Sequence, residues 1–194
     1  MSDPIKLNPW LSIWAHPKIT MRHILDNYPT RFVHLLAIGG AFTRVVSFAL
    51  NWYTWWITAL IWISLSIFTG LFILYVFGGL LKWTGNWLGG KGSYQDVRAS
   101  IAWAQIPVIA FFVVEMAILA MFNGDGSSIF YATTLFVFSL WAGIIFLCCL
   151  GEAQRFSFFK ALINYLLAFV ILVAALVIVV LIVSAFSGNN PQTI

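Results

Sequence analysis

A long apolar run near the carboxyl terminus constrains the fold of this chain more than any other feature. Residues 164–186 read NYLLAFVILVAALVIVVLIVSAF and contain no charged side chain. A helix needs roughly 20 apolar residues to cross the hydrocarbon core of a bilayer. The whole chain is 62% hydrophobic and 8% charged, whereas soluble domains are about 45–50% apolar and about 25% charged. The sequence therefore predicts a polytopic membrane protein of the all-α class.

Five apolar runs are long enough to be transmembrane helices. They lie at about residues 32–50, 55–81, 101–122, 130–150 and 161–186. We expect residues 1–31 to form a cytoplasmic interfacial segment, 32–186 a five-span membrane domain, and 187–194 a short external tail. Small residues four apart, such as Ser66 and Gly70, favour close packing between membrane helices. The sequence predicts one helical bundle without a separate soluble domain.

The basic residues predict how the helices are oriented. They occur before the first run, between the second and third, and between the fourth and fifth: Lys6, Lys18, Arg22, Arg31, Lys82, Lys91, Arg98, Arg155 and Lys160. Positively charged loops stay on the cytoplasmic side. We therefore expect a protein of the cytoplasmic (inner) membrane, with its amino terminus inside and its carboxyl terminus outside. The net charge of +4 then indicates topology and contact with anionic headgroups, and not nucleic-acid binding.

The stretch GNWLGGKGSYQDVR, residues 85–98, resembles the start of a phosphate-binding loop. Gly85 is followed after four residues by Gly90 and Lys91. A phosphate-binding loop also needs Ser or Thr directly after the lysine, and a strand before the loop. Here Gly92 follows the lysine, and an apolar helical run precedes the loop. We interpret the stretch as a connection between two spans, with Lys91 at the lipid headgroups.

A helix start follows the glycines. Ser93 and Asp96 have the spacing of a capping box, in which each side chain bonds the backbone of the other residue. The predicted helix runs through Arg98 into the third span. Pro107 lies within that span and predicts a kink, because proline lacks the backbone N–H that a helix needs.

The segment NPWLSIWAHPKITMRHILDNYP, residues 8–29, predicts two short amphipathic helices on the inner leaflet. Asn8 and Pro9 are typical of a helix start. We do not predict a metal site at His16, His23 and Asp26. A metal site needs three or four ligands that converge, and Pro17 interrupts the helix between the two histidines. Seven residues of this segment and the glycine loop are predicted to contact lipid or a protein partner: Trp10, Trp14, Lys18, Arg22, Lys91, Tyr94 and Arg98.

Two charged residues fall inside predicted spans. Arg44 and Glu115 lie at similar depths near the outer ends of the first and third spans, which predicts an intramembrane charge pair. Such a pair can join two helices as a structural contact, or it can mark a functional site. The sequence leaves both readings open.

The sequence predicts no enzymatic activity and no cofactor. It contains no HExxH motif and no Ser, His and acidic set at one depth. We expect a membrane organiser or adaptor that binds protein partners or lipids and can form a homo-oligomer. The alternative is a transporter or channel for a small solute, ion or lipid that uses Arg44 and Glu115.

Three stretches resemble bacterial members of the Yip-domain family, relatives of the eukaryotic Ypt/Rab-interacting membrane proteins. They are NPWLSIWAHPKITMRHILD, GGKGSYQDVRASIAWAQIP and LWAGIIFLCCLGEAQRFSFFKALINYLL. The resemblance implies a five-span helical protein with a cytoplasmic amino terminus. The eukaryotic members are associated with Rab GTPases, vesicle membranes and one another. They carry a longer cytosolic amino-terminal region, so we do not transfer a Rab-binding role to this chain.

Overall fold

The computed structural model describes residues 8–49, 59–121 and 129–188, and all regular structure in these ranges is helical. The helices are α1 (Pro9–Ser12), α2 (Pro17–Asn27), α3 (Val33–Ala49), α4 (Ala59–Phe72), α5 (Gly78–Trp87), α6 (Tyr94–Trp103), α7 (Ile106–Met121), α8 (Ile129–Gln154) and α9 (Phe158–Gly188). A π-helical turn, Ile73–Phe77, joins α4 to α5.

The predicted all-helical membrane bundle is confirmed. In the described ranges four helical rods are long and apolar enough to cross a membrane: Ala59–Trp87, Tyr94–Ile118, Ile129–Gln154 and Phe158–Phe186. The first predicted span corresponds to α3, which is about 25 Å long at 1.5 Å per residue. Residues 50–58, 122–128 and 189–194 lie outside the described residues. They include the start of the predicted second span and most of the predicted external tail.

The rod formed by α4, the π turn and α5 extends beyond its predicted end at Leu81. It continues to Trp87, although the sequence places the membrane boundary about six residues earlier. The extension is stabilised by protein contacts, because Thr84 and Gly85 are buried against the ends of α8 and α9. Apolar length alone could not predict this extension.

The third predicted span is divided into α6 and α7. The helix is interrupted at Ala104 and Gln105, just before Pro107. Proline cannot donate a hydrogen bond to the carbonyl four residues earlier, and its ring crowds that carbonyl. The structure therefore places a break at the position where the sequence predicts a kink. The helix begins at Tyr94, seven residues before the predicted start of the span, and the capping box of Ser93 and Asp96 is confirmed.

Close packing between α3 and α4 depends on a glycine. A Cβ atom placed on Gly70 would lie 2.9 Å from the Cα atom of Ile38 and 3.1 Å from the carbonyl oxygen of Ala37. Ser66, one turn earlier on α4, is buried. The predicted close packing is confirmed at Gly70, because only a small residue allows the two backbones to lie this near to each other.

Helices α8 and α9 form an antiparallel hairpin with a short connection. Arg155 adopts a positive φ of 59° there, and the N–H of Phe156 donates to the carbonyl of Gly151 at 2.6 Å. Beyond its first turns α9 is exposed on most sides, as its uniformly aliphatic sequence predicts for a helix in lipid. We call the end of the bundle that carries Lys91, Arg155 and Lys160 the basic end, and the other the opposite end.

Candidate functional site

The amino-terminal helices dock on the basic end of the bundle. The two Arg22 nitrogens Nη2 and Nε lie 2.6 and 2.7 Å from Oε1 of Glu152, which joins α2 to α8. Met21 and Ile24 of α2 are fully buried. The buried side of α2 contacts α6 and α8, while Leu11 and Ile19 stay exposed. The predicted position of these helices on the inner leaflet stays a prediction.

An aromatic cluster completes this docking. The ring of Trp103, which is 1% exposed, lies 5.4 Å from that of Trp10 and 6.3 Å from that of Tyr28. Partial burial raises the pKa of Tyr28 above its ordinary value, and the nearby Arg31 opposes this rise. The side chain of Asn8 accepts a hydrogen bond from the N–H of Trp10 at 3.2 Å, so the predicted helix start is confirmed. The cluster fixes α1 against α6.

The predicted contact residues fall into two groups in the structure. Lys18, Lys91 and Tyr94 have exposed side chains at the basic end. The others make contacts within the protein as well: Trp10 with Trp103, Trp14 with the core, Arg22 with Glu152, and Arg98 with Tyr75. Their contact with lipid or a partner stays a prediction.

The glycine loop closes over the end of α8. Gln154 fills the space beside Gly85 and Gly90, since a Cβ atom on either glycine would collide with its amide. The N–H of Lys91 donates to the carbonyl of Gln154 at 3.1 Å and so caps α8. The backbone groups of this loop thus contact α8, which agrees with the interpretation of GNWLGGKG as a connection.

Buried amides lie beneath this loop. Gln154 Nε2 and Asn164 Nδ2 both donate to the carbonyl of Leu81, at 2.8 and 3.1 Å. The hydroxyl of Thr84 donates to Asn164 Oδ1 at 2.6 Å. Neither Gln154 nor Asn164 was among the predicted site residues. The available signal was the run GEAQ at a span end, where polar side chains interrupt apolar sequence.

A second polar cluster joins α3, the π turn and α6. The guanidinium carbon of Arg98 lies 4.2 Å above the ring of Tyr75. The hydroxyl of Tyr75 is 2.8 Å from Nε2 of His34. A cation over an aromatic face is attracted by the negative face of the ring. This contact holds Arg98 at the π turn, since Tyr75 belongs to that turn.

The bundle contains a cavity of about 900 Å³ that Arg44 and Glu115 both line. Arg44 donates from Nη1 to the carbonyl of Gly40 at 3.1 Å. Glu115, which is 6% exposed, accepts a hydrogen bond from the hydroxyl of Tyr131 at 2.8 Å. The structure thus brings the two predicted charges to one site, and the direct ion pair stays a prediction.

The irregular parts of two spans face this cavity. Ile73 and Phe77 of the π turn line it, and so do Ala104 and Gln105 of the break between α6 and α7. Irregular backbone at membrane depth is tolerated where it is buried in protein or lines a cavity. Gln105 is 8% exposed, and its Oε1 atom has no hydrogen-bond partner among the described residues. Sequence reasoning missed Gln105, whose only signal is an amide beside a proline in an apolar run.

In the part of the chain that the structure describes, no group of three or more His, Cys, Asp or Glu side chains could hold a metal ion. Cys148 and Cys149 of α8 are free thiols.

These features define a class: a polytopic helical membrane protein with a docked amino-terminal segment and a cavity that two charged residues line. Residues 11–182 match the family model of the Yip1 domain. The chain belongs to the Yip1 domain family, as its three motif stretches predict. No curated protein and no solved structure matches it.

Proposed function

We propose that this protein is a non-enzymatic membrane organiser or adaptor whose basic end binds a protein partner or anionic lipid. The observation that carries the proposal is the docking of α1 and α2 by the Arg22–Glu152 ion pair and by Trp103. A free amphipathic segment would lose entropy on binding a partner, whereas a docked segment has already lost it. The docking therefore favours a surface prepared for recognition.

Exposed apolar side chains at the basic end support this proposal. On α1 and α2, Leu11 is 72% exposed and Ile19 is also exposed. Tyr94 starts α6 with 53% exposure, and the rings of Trp83 and Trp87, which meet edge to face, lie at the end of α5. Lys18 and Lys91 add positive charge. Aromatic and basic side chains together suit headgroup contact and partner binding.

We further propose that the basic end faces the cytoplasm and that the protein lies in the inner membrane. The distribution of charge supports this orientation. Arg22 on α2, Lys91 in the glycine loop, and Arg155 and Lys160 beside the α8–α9 connection all lie at this end. Basic segments are retained on the cytoplasmic side during insertion.

Site-specific photocrosslinking in native membranes tests the adaptor proposal. The crosslinker is placed at Leu11 and Tyr94, and a matched control is placed at Val180, which is also exposed but lies on the aliphatic part of α9. We expect the same protein adduct from Leu11 and Tyr94 and only lipid adducts from Val180. Lipid or self adducts at all three positions would contradict a protein-binding role.

The cavity favours a second candidate function, the passage of a small solute, ion or lipid past Arg44 and Glu115. An ionisable residue within a membrane is expensive to bury and commonly marks a functional site. The test is a double-mutant cycle with Arg44→Gln and Glu115→Gln. A double variant that regains the stability lost in each single variant and keeps its phenotype indicates a structural pair. A stable double variant without the phenotype supports passage.

A further inference from the structure

We propose that the cavity between α3, α7, α8 and α9 binds one monoacyl phospholipid with a zwitterionic headgroup. The acyl chain lies along the apolar wall, and the phosphate and ammonium groups face Arg44 and Glu115. This inference rests on the site of the second candidate function and names its ligand class. The test measures binding alone, so the absence of transport would not contradict this inference.

The dimensions of the cavity suit a single acyl chain. Its lining on α8 extends from Tyr131 to Leu147, a distance of about 24 Å at 1.5 Å per residue. The hydrocarbon core of a bilayer is about 30 Å thick, so the cavity is long enough for a chain that spans one leaflet. Its volume of about 900 Å³ lies near the upper limit of ordinary ligand pockets, about 300–1,000 Å³.

The lining changes character along this length. Towards the basic end its walls are largely apolar and include Phe77, Phe146 and Leu162. Towards the opposite end they carry Arg44, Glu115 and the hydroxyl of Tyr131. An apolar channel that ends in charged groups matches an amphiphile with one chain and one headgroup. A small hydrophilic solute would leave the apolar length unoccupied.

The charges select the headgroup. The guanidinium group of Arg44 has five N–H donors, of which the structure uses one for the carbonyl of Gly40, so a phosphate can take donors that remain. Glu115 supplies the opposite charge in the same cavity. A purely anionic head would be repelled by Glu115, and a purely cationic head by Arg44. A phosphodiester that carries an ammonium group is attracted by both.

Gln105 selects a lipid with a hydroxyl group. Its buried Oε1 atom lacks a donor among the described residues and packs against Gly40 of α3. The residue lines the cavity, so a small rotation of the amide would bring this oxygen to a bound ligand. Leaving such an atom unpaired is unfavourable, and a ligand that supplies a donor removes the penalty. A monoacyl glycerophospholipid has a free glycerol hydroxyl where a diacyl lipid has an ester. The orphaned amide therefore favours the monoacyl form.

Gly143 offers a way to fill the cavity without disturbing the fold. It lines the cavity on α8, and a Cβ atom built on it would meet nothing within 4 Å. Gly143→Phe thus places a ring in the space of the acyl chain. Gly79→Phe is the matched control, because Gly79 also lies in a helix with open space around its Cβ position and does not line the cavity.

The experiment is native mass spectrometry of the full chain in maltoside micelles, titrated with monoacyl phosphatidylethanolamine. We expect a one-to-one adduct in the unaltered protein and in Gly79→Phe, and no adduct in Gly143→Phe. We expect the apparent Kd to rise about tenfold or more in Arg44→Gln, because hydrogen bonds to a charged group are among the strongest. A monoacylglycerol of the same chain length should bind at least about tenfold more weakly for the same reason.

Three results would overturn the proposal. They are no adduct with the unaltered protein, an adduct in Gly143→Phe together with an unchanged Kd in Arg44→Gln, and equal binding of the monoacylglycerol. Gln105→Leu keeps the test decisive if Gly143→Phe is not monodisperse. We expect this variant to raise the apparent Kd of the monoacyl lipid, and an unchanged Kd would also overturn the proposal. Retained binding without flux would remove the second candidate function and leave this inference intact.

Discussion

Gly92 lies so near to Ala153 that a Cβ atom on the glycine would collide with the carbonyl oxygen of Ala153. The N–H of the preceding residue, Lys91, caps α8 through the carbonyl of Gln154. The glycine loop and the end of α8 are therefore in backbone contact, and any side chain at position 92 must displace one of them.

We expect Gly92→Ala to lower the stability of the bundle. Overpacking of this kind costs about 1–3 kcal/mol, and each kcal/mol lowers Tm by about 2–4 °C in a chain of this size. Thermal unfolding in detergent measures the change. Gly79→Ala is the control, because open space surrounds that position, and its Tm should stay the same or rise slightly. Equal Tm values for Gly92→Ala and the unaltered protein would disprove the close contact.

We expect Arg22→Ala to loosen α2 without unfolding the bundle. The two side chains of the ion pair are 70% and 19% exposed, and exposed pairs contribute about 0.2–1 kcal/mol. Hydrogen exchange of residues 17–27 should therefore quicken by up to about fivefold. The charge reversal Arg22→Glu with Glu152→Arg should restore slow exchange. Lys18→Ala, on the same helix, is the control, and the ion pair would have no role if Lys18→Ala gave the same acceleration.

We expect the losses of unfolding free energy caused by Gln154→Met and Asn164→Leu to be non-additive. Each amide donates to the carbonyl of Leu81, so either variant alone leaves that oxygen one amide donor. Each single change should cost about 0.5–1.5 kcal/mol, and the double variant should exceed their sum by about 0.5 kcal/mol or more. Chemical denaturation of the four proteins of the cycle measures this coupling. Simple addition of the two costs would show that the amides act independently.

We expect the basic end to be inaccessible from outside the cell. In a Cys148→Ala, Cys149→Ala background, a membrane-impermeant maleimide should label Lys91→Cys and Lys160→Cys only after the membrane is permeabilised. Ser127→Cys, in a connection without Lys or Arg, should be labelled in intact cells because the positive-inside rule places it outside. The reverse labelling pattern would contradict the proposed orientation.

Local and compositional signals in the sequence were sufficient to predict the membrane helices and several helix starts. Apolar runs predicted the membrane helices because lipid requires them. Asn8, Ser93 and Asp96 predicted helix starts because capping depends on neighbours a few residues apart. Ser66 and Gly70 predicted a close contact because their spacing puts both on one helix face.

The remaining features depend on contacts between distant parts of the chain. The π turn at Ile73–Phe77 contains no proline, glycine or charged residue from which it could be predicted. The sequence could not predict that α6 and α8 cover one side of α2, because an amphipathic pattern does not distinguish a protein surface from a bilayer. Gln105 could not be singled out from the sequence, because its place in the lining of the cavity depends on how the helices pack. For the same reason, the sequence could predict the charges Arg44 and Glu115 and could not predict the apolar space beside them.

The ion pair between Arg22 and Glu152 joins residues that are 130 positions apart. Ribosomes add about 5–20 residues per second, so Glu152 is synthesised about 7–25 s after Arg22. During this interval α1 and α2 have emerged, and their docking surface on α8 does not yet exist. The apolar side of α2 must be shielded in the meantime by the membrane surface or a chaperone. The docked arrangement is therefore a late product of biogenesis, reached after the fourth long apolar run has inserted.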